Sequence, residues 1–253
     1  MKDVSSLFEA FKALPEKKAG IVFSGTEILH VGPSSIALAD AKHVTKIIVR
    51  NHAVVTPVEE EFKTLERFGC IKGELFLLPQ AVAWGQDPDY LTMTRLGPCL
   101  GYRKPDEGER VRAAEAIGEF AARIWESDQL VHTDISLNNL TVEPKGKIGI
   151  IDLAAVKKAE FPEEMFWQPL LIKAIPCASI ASIFTEQTGI PVSLERVERM
   201  AKNRFNQFAP RISGPQAEAL WTTIQSNLTE WKEAEHCQRS GSCRRKNFRC
   251  TLG

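Results

Sequence analysis

Hydrophobic and polar residues alternate in short runs through the first third of the chain. Gly20 to Ser24, Glu27 to Val31, Ser35 to Ala39 and Val44 to Val49 are apolar or β-branched stretches broken by Gly, Pro and Asp, which predicts strands. Residues 1–19 predict a helical lead-in with Leu7, Phe8 and Phe11 on one side. The period then changes. Val58, Phe62 and Leu65 fall at helical spacing, Thr56 suits an N-cap, Pro57 the first helical position, Glu59 the second half of a capping box, and Gly69 the stop. Strand-like patterning returns at Glu74 to Leu78 and Tyr90 to Thr94, before Gly97-Pro98.

From about residue 100 the helical period dominates. Asp106, Glu107 and Glu109 favour a helix N-terminus, and Val111, Ala114, Ile117, Phe120 and Ile124 repeat along the segment 106–127. A strand-turn-strand unit is predicted over 139–152, with Pro144-Lys145-Gly146 as the turn. Two or three helices follow, one carrying Leu194, Val197, Ala201, Phe205 and Phe208, another Leu220, Ile224, Leu228 and Trp231. A β-rich opening and an α-rich remainder predict α+β architecture in two lobes, residues 1–96 and 97–235, followed by a tail, 236–253.

Composition adds mainly exclusions. The 253 residues are 43% hydrophobic and 25% charged, as in an ordinary globular protein. With 32 basic and 32 acidic residues, charge offers no argument for a nucleic-acid partner. No apolar run approaches the roughly 18 residues of a membrane span, and the N-terminus lacks the apolar core of a secretory signal. A soluble, cytoplasmic protein is expected. Cys70, Cys99 and Cys177 sit in apolar surroundings and are expected as buried free thiols. The tail carries His236, Cys237, Cys243 and Cys250 among basic residues. Their spacing lacks C-x-x-C, and three readings stay open: a zinc site, a basic tail contacting an acidic partner or anionic lipid head groups, and a plain solvated tail.

Candidate chemistry concentrates in residues 130–154, LVHTDISLNNLTVEPKGKIGIIDLA. Asp134 and Asn139 fall in a polar loop after a long helix, and Asp152 follows the apolar run Ile148 to Ile151. A hairpin there would bring Asn139 and Asp152 together, and their oxygens suit a hard cation. Upstream, Lys46 interrupts an apolar strand, where a charge is costly without a partner. At 100° per residue, Glu61 lies within roughly 40° of Leu65 on the apolar stripe while Glu60 points away, so a Lys46–Glu61 ion pair is predicted. Arg50 is the alternative cation.

The pattern H-x-D-x-x-x-x-N followed by a strand ending in Asp resembles the protein-kinase-like superfamily. The resemblance implies a bilobal kinase-like fold that binds ATP with magnesium (Mg2+) and passes the γ-phosphoryl to a hydroxyl acceptor, protein or saccharide. It makes Asp134 the residue that orients the acceptor hydroxyl and takes its proton. Asn139 and Asp152 become the magnesium ligands, Lys46 the phosphate cation braced by Glu61, and His132 a structural brace of the loop. Gly32, Ser34 and Ser35 correspond to the phosphate-covering turn, although an ordinary hairpin turn is the competing reading of that segment. Leu91 to Gly97, with Met93 and Thr94, corresponds to the hinge that reads the adenine edge. Asp152-Leu153-Ala154 stands where the family has D-F-G, and Ser136 where eukaryotic-type kinases usually carry lysine. In the form D-x-S-x-x-N the motif is most similar to RIO-type kinases and bacterial lipopolysaccharide-core kinases. Two alternatives stand beside an enzyme: a nucleotide-binding, pseudokinase-like regulator that docks to a partner, and a helical interaction protein.

Overall fold

The structure, a computed structural model, describes residues 27–31, 35–48, 57–86, 89–172 and 175–240. The expected lead-in helix and first strand lie outside these residues, as do Gly32, Ser34, Arg50 and Thr56, and Cys243 and Cys250 of the tail. Contacts divide the chain into two units. One joins the described residues up to 100 with 138–156; the other joins 101–137 with those from 157 onward. The 139–152 hairpin, grouped with the helical part by sequence order, therefore belongs with the β-rich part. Strand pairing explains this, as shown below.

In the first unit, β1 (Glu27–Val31), β2 (Ser35–Ala39) and β3 (His43–Ile48) form an antiparallel meander. The helix α1 (Val58–Phe68) follows, then β4 (Phe76–Leu77), β5 (Ala81–Gly85) and β6 (Tyr90–Thr94). Among the described residues the main sheet runs β1-β2-β3-β6-β5. Period-2 alternation buries Ile36, Leu38, Thr45 and Ile47. The hydroxyls of Thr45 and Thr92 satisfy each other at 3.0 Å where they are shut from water. A second sheet, β4-β9-β8, is built from β8 (Leu140–Val142) and β9 (Ile148–Ile150), with β4 parallel to β9. That pairing ties the hairpin to the first unit.

Two details of α1 differ from expectation. Pro57 is the N-cap itself, without a side-chain cap hydrogen bond, and Glu59 pairs with Lys63 at 2.7 Å. Of the predicted stripe Val58 and Leu65 are buried and Phe62 is half-buried; Glu61 and Phe68 are buried with them, and Glu60 is exposed. Gly69 closes the helix, its N–H donating to the Leu65 carbonyl at 2.7 Å.

The second unit is organised around α2 (Glu107–Asp128). Asp106 accepts the Glu109 N–H while the Glu109 carboxylate accepts the Asp106 N–H, a complete capping box. Midway along α2, residues 113, 114, 116–118 and 120–122 are buried on every side, the mark of a central helix. Its chief helical neighbour is α4 (Cys177–Thr188). A Cβ at Gly118 would stand 2.8 Å from the Ile183 Cβ and 2.9 Å from the Ile180 carbonyl, so glycine permits the close approach. The short strands β7 (Leu130–His132) and β10 (Val156–Lys158) and the helix α3 (Trp167–Leu171) precede α4; α5 (Leu194–Phe208) and α6 (Gly214–Ser240) finish the unit. Phe166 packs in a tilted ring contact on Trp231 at 4.8 Å between centroids, and the Asn227 amide donates to the Leu170 carbonyl at 2.7 Å, anchoring α6.

The cysteines are corrected in part. Cys177 is buried, and burial pushes its thiol up to about 12. Cys70 is exposed and Cys99 half-buried, because each lies at the end of an element rather than inside one. Among the described residues, no helix is long and apolar enough to cross a membrane.

Candidate active site

Lys46 is held by two acids. Its Nζ lies 2.9 and 3.1 Å from the Glu61 carboxylate oxygens and 2.9 Å from Asp152 Oδ1. The three side chains come from β3, α1 and the residues just after β9, with Lys46 and Asp152 separated by 106 positions in sequence. Cross-strand register sets Ala37, Lys46 and Leu91 side by side, so Lys46 shares a sheet face with apolar neighbours. Glu61 is 2% exposed, Lys46 22% and Asp152 34%, so the helix acid is the most deeply buried of the three. Burial opposes the charge on Lys46, but the pull of Glu61 and Asp152 outweighs it and holds the ammonium above its usual range. Burial pushes Glu61 above the ordinary carboxylate range, against the pull of Lys46.

Asp152 has φ 61° and ψ 52°, left-handed geometry that is uncommon for a residue with a side chain. Such geometry costs of order 1 kcal/mol or more, and the surrounding packing must sustain it. The cost is met where the hairpin closes. The Ile151 N–H donates to the Asn139 carbonyl at 2.9 Å, and Leu140 pairs with Ile150. The backbone thus seats Asn139 beside the residue preceding Asp152. Two oxygen-bearing side chains at the paired ends of one hairpin, with an ammonium on one of them, fit a magnesium–phosphate group. Among the described residues no group of three or more His, Cys, Asp or Glu could hold a metal ion. This is compatible with magnesium, which takes few protein ligands and completes its shell with water and phosphate.

In the second unit, His132 ends β7 and is buried against α2, its ring edge-on to Phe120 at 6.2 Å. Its Nδ1 accepts the Asp134 N–H at 3.2 Å, so the histidine shapes the loop that presents Asp134. Glu163, in the Phe161-Pro162-Glu163 run, is buried and accepts the Ser193 N–H at 2.9 Å, fixing the start of α5.

The expected hinge is partly committed to the sheet. Met93 is buried and pairs with Val44 and Ala81. The Thr94 N–H donates to the Gln80 carbonyl, its hydroxyl accepts the Gln80 N–H, and the Arg95 N–H donates to Lys42. The backbone N–H groups of Thr94 and Arg95 are therefore already engaged. Ser35 is half-buried at the start of β2 and pairs with Ile48. Sequence reasoning missed Glu143. This buried carboxylate accepts the Gly97 N–H and the Thr141 hydroxyl, both at 2.6 Å. Its local signal was an acid directly after a mostly apolar strand, the same kind of signal that singled out Asp152.

No protein-family model matches the chain, and comparison with curated proteins gave no match. Among solved structures it is similar to an aminoglycoside-3'-phosphotransferase of type VIII, with a TM-score of 0.52 and 14% identity, over 76% of this chain and 96% of that one. The likeness concerns the fold: the chain has a protein-kinase-like α+β fold, with a β-sheet N-terminal part and a helical C-terminal part.

Proposed function

We propose that this chain is an ATP- and magnesium-dependent phosphotransferase that moves the γ-phosphoryl of ATP to a hydroxyl group. The observation that supports it most is the convergence of Glu61 and Asp152 on Lys46. In this reading Glu61 keeps the ammonium aimed at the phosphates, and Asn139 and Asp152 hold magnesium. Bound magnesium would neutralise charge developing on the phosphoryl oxygens. Asp134 orients the acceptor hydroxyl and accepts its proton. Catalysis then rests on positioning and fixed charge rather than on a covalent intermediate. Leu91 to Gly97 lies along the adenine edge, with Leu96 rather than Thr94 supplying the backbone contact. Gly32, Ser34 and Ser35 cover the phosphates. The reading includes a cytoplasmic location, where ATP is available.

The acceptor is a hydroxyl of a protein or of a saccharide, including lipopolysaccharide-type glycans and, from the fold neighbour, aminoglycosides. Labelled ATP offered with a panel of these classes tests the proposal on wild type, Asp134→Ala and Asp152→Ala. Wild type should label one class. Asp134→Ala should lose at least about 100-fold in turnover yet keep magnesium-dependent thermal stabilisation by ATP. Asp152→Ala should lose both. Equal behaviour of all three proteins would refute the enzyme. Stabilisation without transfer would favour the regulator that docks to a partner, a reading supported by the D-L-A sequence at Asp152.

A further inference from the structure

We propose that Glu143 is a positioning residue for the base end of the nucleotide site, an inference that rests on the nucleotide-binding function above. One oxygen of this buried carboxylate accepts both the Gly97 N–H and the Thr141 hydroxyl at 2.6 Å. These are short, charge-assisted hydrogen bonds. The neighbouring backbone is fastened in the same place. The Val142 N–H donates to the Pro98 carbonyl at 3.0 Å, and Cys99 bridges to Thr141. A Cβ at Gly97 would strike the Val142 carbonyl. A Cβ at Gly149 would stand 2.8 Å from Leu96 Cδ1 and 2.9 Å from Glu143 Oε1. Two glycines thus clear the space in which the hinge lies against the hairpin.

The consequence follows from peptide planarity. The Gly97 N–H and the Leu96 carbonyl belong to one trans peptide and point in opposite directions. By holding the N–H, Glu143 fixes the direction of the Leu96 carbonyl and the course of the chain just after the last strand-paired residues. The hairpin that carries Glu143 also carries Asn139 before it and Asp152 after it. One rigid element therefore sets both the metal ligands and the edge that reads the base. Glu143 touches no substrate; it acts through the Leu96–Gly97 peptide.

Binding of two magnesium-complexed probes separates this role from a merely structural one: ATP, which has a base, and tripolyphosphate, which has none. Wild type should bind both. Glu143→Ala should weaken ATP about tenfold and leave tripolyphosphate within about twofold. Glu143→Gln retains an acceptor oxygen and should restore ATP to within about threefold of wild type. Thr141→Val preserves side-chain shape, releases one donor and should weaken ATP about threefold; it decides the matter if Glu143→Ala does not fold. Equal losses for both probes, or no loss for either, would overturn the positioning role while leaving the nucleotide site standing. Failure of wild type to bind either probe would overturn the nucleotide site and this role together.

Discussion

Replacing Lys46 by Met keeps an unbranched apolar stem and deletes the ammonium. Glu61 would then remain at 2% exposure, with its observed cation gone and Asp152 as a like-charged neighbour. The carboxyl escapes by taking up a proton, and that escape caps the damage. An unfolded glutamate titrates near ~4.3, so keeping Glu61 protonated at pH 7 costs at most about 3.7 kcal/mol. Part of this cost already exists in the wild type, because burial holds Glu61 above its ordinary range. The expected deficit is therefore about 2 kcal/mol at pH 7. Its pH dependence is diagnostic. A carboxyl whose folded value is raised destabilises the fold above its unfolded value, and the penalty fades as pH falls toward that value. At pH 5 the cap is about 1 kcal/mol. Urea unfolding of wild type, Lys46→Met, Glu61→Gln and the double variant at both pH values measures this. The double variant should lie at least about 1 kcal/mol above the sum of the single effects. A deficit unchanged between pH 7 and pH 5, or additivity within about 0.5 kcal/mol, would refute the reasoning.

Two further outcomes test the second unit. The Arg103 guanidinium and the Asp106 amide hold Glu109 down to about 2, so its contribution is present above the ordinary glutamate range and is lost as pH falls toward 2; acid titration of Glu109→Gln, followed by circular dichroism, should show a shallower loss of stability below pH 4.5 than in wild type. Gly118→Ala gains about 1 kcal/mol of helix propensity but must push α2 from the Ile180 backbone, and overpacking of about 1–3 kcal/mol should win, lowering the thermal midpoint.

What could be read from the sequence depended on whether the signal was local. The strands β2 and β6 matched their expected bounds because the signal lies in five consecutive residues, partial alternation of burial in β2 and a short, almost fully buried run in β6. Glu61 was separable from Glu60 because a helix rotates by a fixed angle, and Lys46 stood out as a charge inside an apolar strand. β5 went unread because Ala81 to Gly85 shows no clean alternation: its residues are half-buried or exposed throughout. Of α4 only an unspecified helix was foreseen; its Ser179, Ile180, Ser182, Ile183 and Thr185 carry weak helical preference, and packing on α2 supplies the stability. The grouping of the hairpin with the sheet unit, and the Glu143–Gly97 bond across 46 positions, leave no local trace, since each is a pairing between distant segments.

The trio at Lys46 is electrically lopsided: two acids share one base, leaving a surplus of one negative elementary charge when all are ionised. A naked polyphosphate approaching Asp152 would meet repulsion, whereas a divalent ion would be drawn in and would reverse the local sign. In the proposed function, this charge balance favours a metal-complexed polyphosphate over the bare anion.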